Sequence, residues 1–550
     1  MNQIKPYILS ILLGTSGLTA YAQQTTQAKD STLNRMVVVE REYTPEILDA
    51  QKVNVVPQVV APVTSHPTVE YAQQSRPSAS VPAQVMSPYV APQPLSNGWP
   101  GYLHVGFGNL SQWDAQAAYR FKPSQHDILS LNAFARGDKS DFNLSGEESP
   151  WSSGHLNGGV DALYTHRADR SELTVQGDFG LQKFDLLPLS SLDKQQFTTG
   201  ELSFGLRSTN DAPQSLYYDA RAFLSYHGRK ELVVSDEKNL SETTLGLDGH
   251  VWAPLRESQW IDLSITLNQY LYSGHNALSN QTALTLRPAY RYETERWKLS
   301  LGLKSDLAFG YGKKWQAAPD VEATYTTGSH VLYARATGGR LTNGFDRISR
   351  LAPYAQLPLE QADATYEQLN ASAGWKGSPL PDLWIHLYGG YQQLNNDLLV
   401  VRDNIAGGTG YLWSQAIQFT KSHNLYGGAA LRYSYRELIG LRLSALYRNW
   451  SFDEWEQEAF KPELDLEAAL DLSPLKGLQL TAGYRHTTLS SDRYEALSNL
   501  YLQGSYALNQ VLRGLGVFVE AHNLLDKEYE LTPAVPALGL RVMGGVSLRF

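Results

Sequence analysis

Trp297-Lys298-Leu299-Ser300-Leu301-Gly302-Leu303-Lys304-Ser305-Asp306-Leu307-Ala308-Phe309 is the stretch that decides the fold. Trp297, Leu299, Leu301, Leu303, Leu307 and Phe309 fall on one parity, interrupted only by Ser305. Lys298, Ser300, Gly302, Lys304, Asp306 and Ala308 fall on the other. Wound as a helix, at about 100° per residue, the polar positions would spread around the circumference. In a strand they separate cleanly onto one face.

The rule repeats outward from this stretch. In residues 462–472, Leu464, Leu466, Ala468, Leu470 and Leu472 alternate with Glu463, Asp465, Glu467, Ala469 and Asp471. Similar alternation runs through 173–182, 261–272 and 282–292. The segments reach roughly 10–14 residues, against about 5–6 in ordinary sheets. A tilted membrane-crossing strand needs about 9–11. Their apolar faces are rich in Leu, with aromatics such as Tyr290, Tyr292, Trp297 and Phe309 towards the ends, as interfacial girdles require. About 22 such segments follow one another from Tyr102, an even number suited to a bacterial barrel. The expected fold class is therefore all-β, a transmembrane antiparallel β-barrel of about 22 strands.

The connections support the same reading. Every second one is a tight turn, among them Lys122-Pro123-Ser124-Gln125, Arg167-Ala168-Asp169-Arg170, Leu255-Arg256-Glu257-Ser258, Thr327-Gly328-Ser329 and Ser473-Pro474-Leu475-Lys476-Gly477. The connections between them include long ones, around 137–154, 342–364, 397–423, 449–461 and 523–539. Short turns on one rim and long loops on the other predict periplasmic and extracellular ends respectively.

The first 98 residues read differently. Lys5, the apolar run Tyr7 to Leu18 and Ala20-Tyr21-Ala22 have the form of a signal peptide, with cleavage between Ala22 and Gln23 expected. Residues 23–98 are rich in Pro. Proline removes backbone donors and fixes φ, which predicts an extended or disordered periplasmic segment. Three parts are thus expected: 1–22, 23–98, and a barrel over 99–550. Within the second, Met36-Val37-Val38-Val39 is β-prone and suits addition as a strand to a partner's sheet edge.

Composition narrows the function. The 550 residues contain no cysteine, so there is no disulfide framework and no thiolate metal site. A net charge of −9 argues against nucleic acid as a partner. There is no H-E-x-x-H, no G-x-S-x-G, no Walker loop and no paired-histidine spacing. No cofactor, metal or catalytic site is expected, and the chain is not read as an enzyme.

The C-terminal strands carry a resemblance. Leu515-Gly516-Val517-Phe518-Val519-Glu520-Ala521-His522-Asn523-Leu524-Leu525-Asp526-Lys527-Glu528-Tyr529 and the closing run Arg541 to Phe550 are similar to the last two strands of TonB-dependent outer-membrane receptors. Leu359-Glu360-Gln361 with Tyr366-Glu367-Gln368-Leu369, and Ser473-Pro474-Leu475-Lys476-Gly477-Leu478, resemble passages of the same barrels. The resemblance implies an outer-membrane location, the bilayer as solvent, the barrel assembly machinery as a partner reading Phe550, and TonB or another periplasmic protein contacting Met36 to Val39. Only residues 23–98 precede the barrel here, so a relative without the family's folded plug is expected.

The remaining candidates follow from register. Arg287, Arg291, Lys298, Lys304, Glu463, Asp465, Glu467, Asp471 and Arg485 should face the lumen, as salt-bridge ladders or as determinants of solute selectivity. The aromatic and acidic stretch Asn449 to Glu458 would suit a cationic or sugar-like ligand, and Arg136-Gly137-Asp138 should open a long loop. His104, His386 and His522 stand singly on strands. Two functions are open on this sequence. One is a transport or pore component for solute uptake. The other is a structural or interaction barrel scaffolding a secretion or assembly complex.

Overall fold

The computed structural model describes residues 99–142, 150–186, 194–209, 214–233, 236–274, 278–355, 357, 363–404, 413–436, 438–533 and 535–550. The signal segment, its Ala22/Gln23 cleavage, the Pro-rich stretch and Met36 to Val39 lie outside the described residues.

The alternating segments become strands. In chain order they are β1 (Gly101–Gly108), β2 (Trp113–Phe121), β3 (Asp127–Phe142), β4 (Trp151–Arg167), β5 (Ser171–Asp185), β6 (Lys194–Ser208), β7 (Tyr217–Val233) and β8 (Asp236–Arg256). They continue with β9 (Gln259–Ser273), β10 (Gln281–Glu293), β11 (Trp297–Phe309), β12 (Trp315–Thr327), β13 (His330–Leu341), β14 (Thr365–Leu380), β15 (Leu383–Asn404) and β16 (Trp413–Tyr435). The last are β17 (Ile439–Phe452), β18 (Pro462–Leu475), β19 (Leu478–Leu489), β20 (Leu497–Ala507), β21 (Leu515–His522), the small hairpin strands β22 (Glu530–Thr532) and β23 (Val535–Pro536), and β24 (Arg541–Arg549). Apart from β22 and β23, they form one 22-stranded antiparallel sheet. It closes because β1 pairs both with β2 and with β24, placing Leu103 opposite Leu548 and Val105 opposite Val546. Closure leaves no unpaired edge, the condition for a sheet to sit in lipid.

The outer surface is the apolar parity. Phe107, Phe179, Phe204, Leu301, Leu303, Leu425 and Val519 are exposed on it, and Trp297 meets Tyr325 at 4.7 Å near the short-turn rim. The inner parity is polar, with aromatic rings laid over glycines. The Tyr388 ring covers Gly428 and the Tyr426 ring covers Gly390, so a Cβ at either glycine would collide with a ring. The high Gly and Tyr content of the chain is used here, in pairs across adjacent strands.

Two of the expected long loops are mostly strand. Of the 137–154 connection, residues 137–142 belong to β3 and 151–154 to β4; of 397–423, residues 397–404 belong to β15 and 413–423 to β16. Arg136-Gly137-Asp138 therefore lies within β3, paired with Asn157, Leu156 and His155 of β4, rather than in a loop. Alternation marks a strand only where one face meets lipid; beyond the bilayer the ladder continues without that signature. The β15 extension shows the extreme case. Leu398, Leu399, Val400 and Val401 are all buried, because both faces are covered.

The buried clusters sit at this long-loop end. Leu398 and Val400 pack with Ile348, Ala352 and Ala355. Leu399 and Val401 pack with Trp450, Phe452 and Ala459. Phe184 and Phe197 pack with Tyr354 and Val535, and Phe460 packs with Tyr494, Tyr529 and Leu531. The connection after β13 contributes a short helix, α1 (Phe345–Leu351). These contacts gather segments from far around the ring into one cap.

Candidate functional site

The lumen wall carries paired charges. The Arg287 Nε donates to Asp320 at 3.0 Å, and the Arg291 Nε to Asp262 at 2.6 Å. Lys304 reaches Asp306 at 4.0 Å. Asp465 accepts from Arg448 at 2.8 Å and from Thr487 at 2.7 Å, with Arg485 4.0 Å away. Asp471 is held by Arg442 at 2.9 Å. Glu467 lies opposite Arg485 in register, and Lys298 opposite Glu293. Glu463 departs from the row. The register shifts between Pro462 and Leu464, and its carboxylate accepts from the hydroxyl of Tyr447, an exposed residue of the outer face. A bulge changes which way a side chain points, and no alternation reveals it. The histidines lie on the inner wall: His104 on Phe518 and Asp114, His386 on Tyr388 and the Tyr333 hydroxyl, His522 on Tyr501. Among the described residues no group of three or more His, Asp or Glu could hold a metal ion.

The cap is the more distinctive construction. The 342–364 connection starts between β13 and β14 and crosses to inward-facing side chains of β4 to β9. The Phe345 N–H donates to Glu242 at 3.0 Å. The Ser349 hydroxyl meets His227 Nε2 at 3.0 Å and accepts from Arg229 at 3.2 Å, while Arg229 also donates to the Ala355 carbonyl at 2.6 Å. The Tyr354 hydroxyl meets His155 Nε2 at 2.9 Å, and its ring sits edge-on to Phe184 at 4.8 Å. Burial pushes the Tyr354 hydroxyl above the usual phenol range, so it stays a donor at neutral pH.

The 523–540 connection enters the same space. Gln415 on β16 ties the two together. Its amide donates to the Thr532 hydroxyl and to the Pro533 carbonyl, each at 2.9 Å, and its oxygen accepts from the Tyr354 N–H at 3.3 Å. Arg402 on β15 pairs with Glu530. Tyr494, above β19, is pushed up to about 12 by burial beside these loops.

A buried charge cluster lies where the cap meets the wall. Asp397 is fully buried and Lys461 is 1 % exposed. The two are in direct contact, and Asp397 also accepts from Ser422 at 2.5 Å. The Lys461 ammonium lies 4.5 Å from the Trp450 ring centre and 5.9 Å from that of Phe452. Burial pulls its proton affinity down and the Asp397 carboxylate pulls it back up. Arg347 of α1 is pushed down to about 10 by burial, and Asp397 is the carboxylate that opposes this. Asp397 Oδ1 and Arg347 Nη2 are buried without a hydrogen-bond partner among the described residues.

The stretch Asn449 to Glu458 thus divides. Trp450 and Phe452 are buried and stacked at 5.8 Å, whereas Trp455 is exposed among Asp453, Glu454 and Glu456. The cap residues were not nominated from sequence. The one local signal for them was Leu398-Leu399-Val400-Val401, a break in alternation.

No family model matches the chain, and no curated protein does. Solved structures do. The FrpB iron transporter of Neisseria meningitidis superposes with a TM-score of 0.66 at 10% identity, over 83% of this chain and 82% of that one. The siderophore receptor PirA of Acinetobacter baumannii gives 0.63 at 10% identity, over 82% and 80%. The ferric-catecholate import receptor Fiu of Escherichia coli K12 gives 0.60 at 10% identity, over 82% of each. The likeness read from the C-terminal strands therefore holds at the level of fold, that of a closed 22-stranded antiparallel barrel.

Proposed function

We propose that this barrel is a transport component of the outer membrane, serving solute uptake, and that its own loops close the lumen at the long-loop mouth. The observation that carries this reading is the path of residues 342–364. They leave the wall between β13 and β14 and bond to inward-facing His155, His227, Arg229 and Glu242 on strands far around the ring. A 22-stranded barrel encloses a lumen that transporters of this size keep plugged, and here a cap of loop residues crosses it. In this reading the short turns are periplasmic, the long loops extracellular, Ala22/Gln23 is the processing point, Met36 to Val39 engage TonB or another periplasmic protein, and Phe550 is read during barrel assembly. The fold neighbours are named for iron and siderophore transport, so ferric chelates are the first solutes to assay.

Planar-bilayer recording tests it. The full chain should be nearly silent, and replacing residues 345–357 by a short Gly/Ser linker should produce a large, steady conductance. Silence from that variant, with the barrel still shifting mobility on heating, would remove the pore reading. Stable co-purifying partners alongside such silence would favour the scaffolding alternative.

A further inference from the structure

We propose that Asp397 is the latch of a gate, a wall carboxylate that holds the Lys461 loop directly and stands on the bend to which the end of the cap loop is tied. The inference rests on the transport reading for its purpose and on separate observations for its mechanism.

Two side chains contact this carboxylate, Ser422 of β16 and Lys461 of the connection before β18, and the Arg347 guanidinium of α1, bonded to Asn343 at 2.7 Å, feels its charge without pairing with it. Asp397 stands where β15 departs from regular wall geometry. The β14–β15 register shifts between Glu367 and Leu369, and the β15–β16 register between Leu394 and Asp397. Asn396 between them has φ +54, a left-handed conformation that costs a non-glycine residue energy. Its side-chain amide donates to the Asp363 and Ala364 carbonyls at 3.2 and 3.0 Å, and the Thr365 hydroxyl donates to the Asn396 carbonyl at 2.8 Å. The end of the cap loop is therefore tied to the bend that presents Asp397.

The surroundings would favour another choice if stability alone mattered. Leu398, Leu399, Val401 and Ile348 are buried around the cluster. Apolar packing in place of a buried ion group is often neutral or stabilising, whereas removal of one partner leaves uncompensated charge. Here one oxygen of the carboxylate and one nitrogen of the guanidinium lack partners among the described residues. Such an arrangement holds while all members are present and lets go when the carboxylate is neutralised. Lys461 would then be a buried charge without its counter-ion and would carry its loop towards water.

The chain has no cysteine, so one introduced thiol reports on the gate. Ala352 is fully buried in the cap. Maleimide labelling of Ala352→Cys should be slow in the otherwise unchanged protein and at least about tenfold faster when Asp397→Asn is added, as for a minor open state becoming populated. The combination Asp397→Leu, Lys461→Met and Arg347→Met should return labelling to the slow rate. Heat-modifiable mobility reports that the barrel is folded in each. Equal slow labelling with Asp397→Asn overturns the latch; so does fast labelling in the apolar triple variant, which would make packing the determinant. Conductance is read in parallel. Openings of Asp397→Asn should match the size seen with residues 345–357 replaced. A labelling change without conductance supports the latch and removes the pore reading. A conducting loop replacement beside a silent, slowly labelled Asp397→Asn does the reverse.

Discussion

Lys461 shows how much one side chain of this cap carries. Its ammonium touches Asp397 and lies over two rings, so Lys461→Ala would remove a counter-charge and a packing element together. A loss of about 3–5 kcal/mol is expected for breaking a buried pair in this way, read as a drop in the temperature at which the folded gel band disappears. Arg485→Ala is the matching control, because its guanidinium is more than half exposed and 4.0 Å from Asp465. It should change stability by no more than about 1 kcal/mol. Residues of the second kind are nominated by alternation alone, since parity groups Arg485 with the polar face of its strand. Lys461 is not. It follows an aromatic, acidic loop in the sequence, and only the return of that loop to the wall makes it a buried cation. At Glu463 a register shift interrupts the alternation that its neighbours obey.

At the scale of the element, each strand is defined by the different solvents on its two sides. Leu303 faces out and Lys304 faces in. Leu303→Arg should therefore destabilise the barrel by about 2–4 kcal/mol if it lies at mid-bilayer, whereas Lys304→Gln should be nearly neutral. Refolding into lipid vesicles under urea titration measures both. Strands begin at Trp113, Ser171, Gln259, Gln281, Trp297, Trp315, His330, Thr365, Leu383, Pro462, Leu478 and Leu515, where a turn signal and an aromatic or apolar parity coincide. β8 and β16 begin at Asp236 and Trp413, ahead of any clear alternation. Beyond the bilayer both faces of these strands meet water or protein, and the period-two contrast that marks a strand in lipid disappears.

For the whole molecule, the closed ring is a property of the described barrel residues alone, since β1 zips to β24. A chain starting at residue 99 should refold into detergent or lipid with heat-modifiable mobility. Failure of such a chain to form a folded band would mean that closure needs something beyond its own strands. The cap is also a property of the whole molecule. Residues 342–364 and 523–540 reach positions set by the curvature of 22 strands, and neither connection carries a local signal for where it ends. What the sequence by itself determined is the barrel: its class, strand number, parity and closing strand. Each of these follows from a local rule, that one side of a strand lies in lipid and the other does not. What only the tertiary structure decided is how the mouth is closed. Asp397 meets Lys461, and Gln415 meets Tyr354, Thr532 and Pro533, across long stretches of chain, and a contact of that kind depends on where the ring turns the wall, which no stretch of residues states alone.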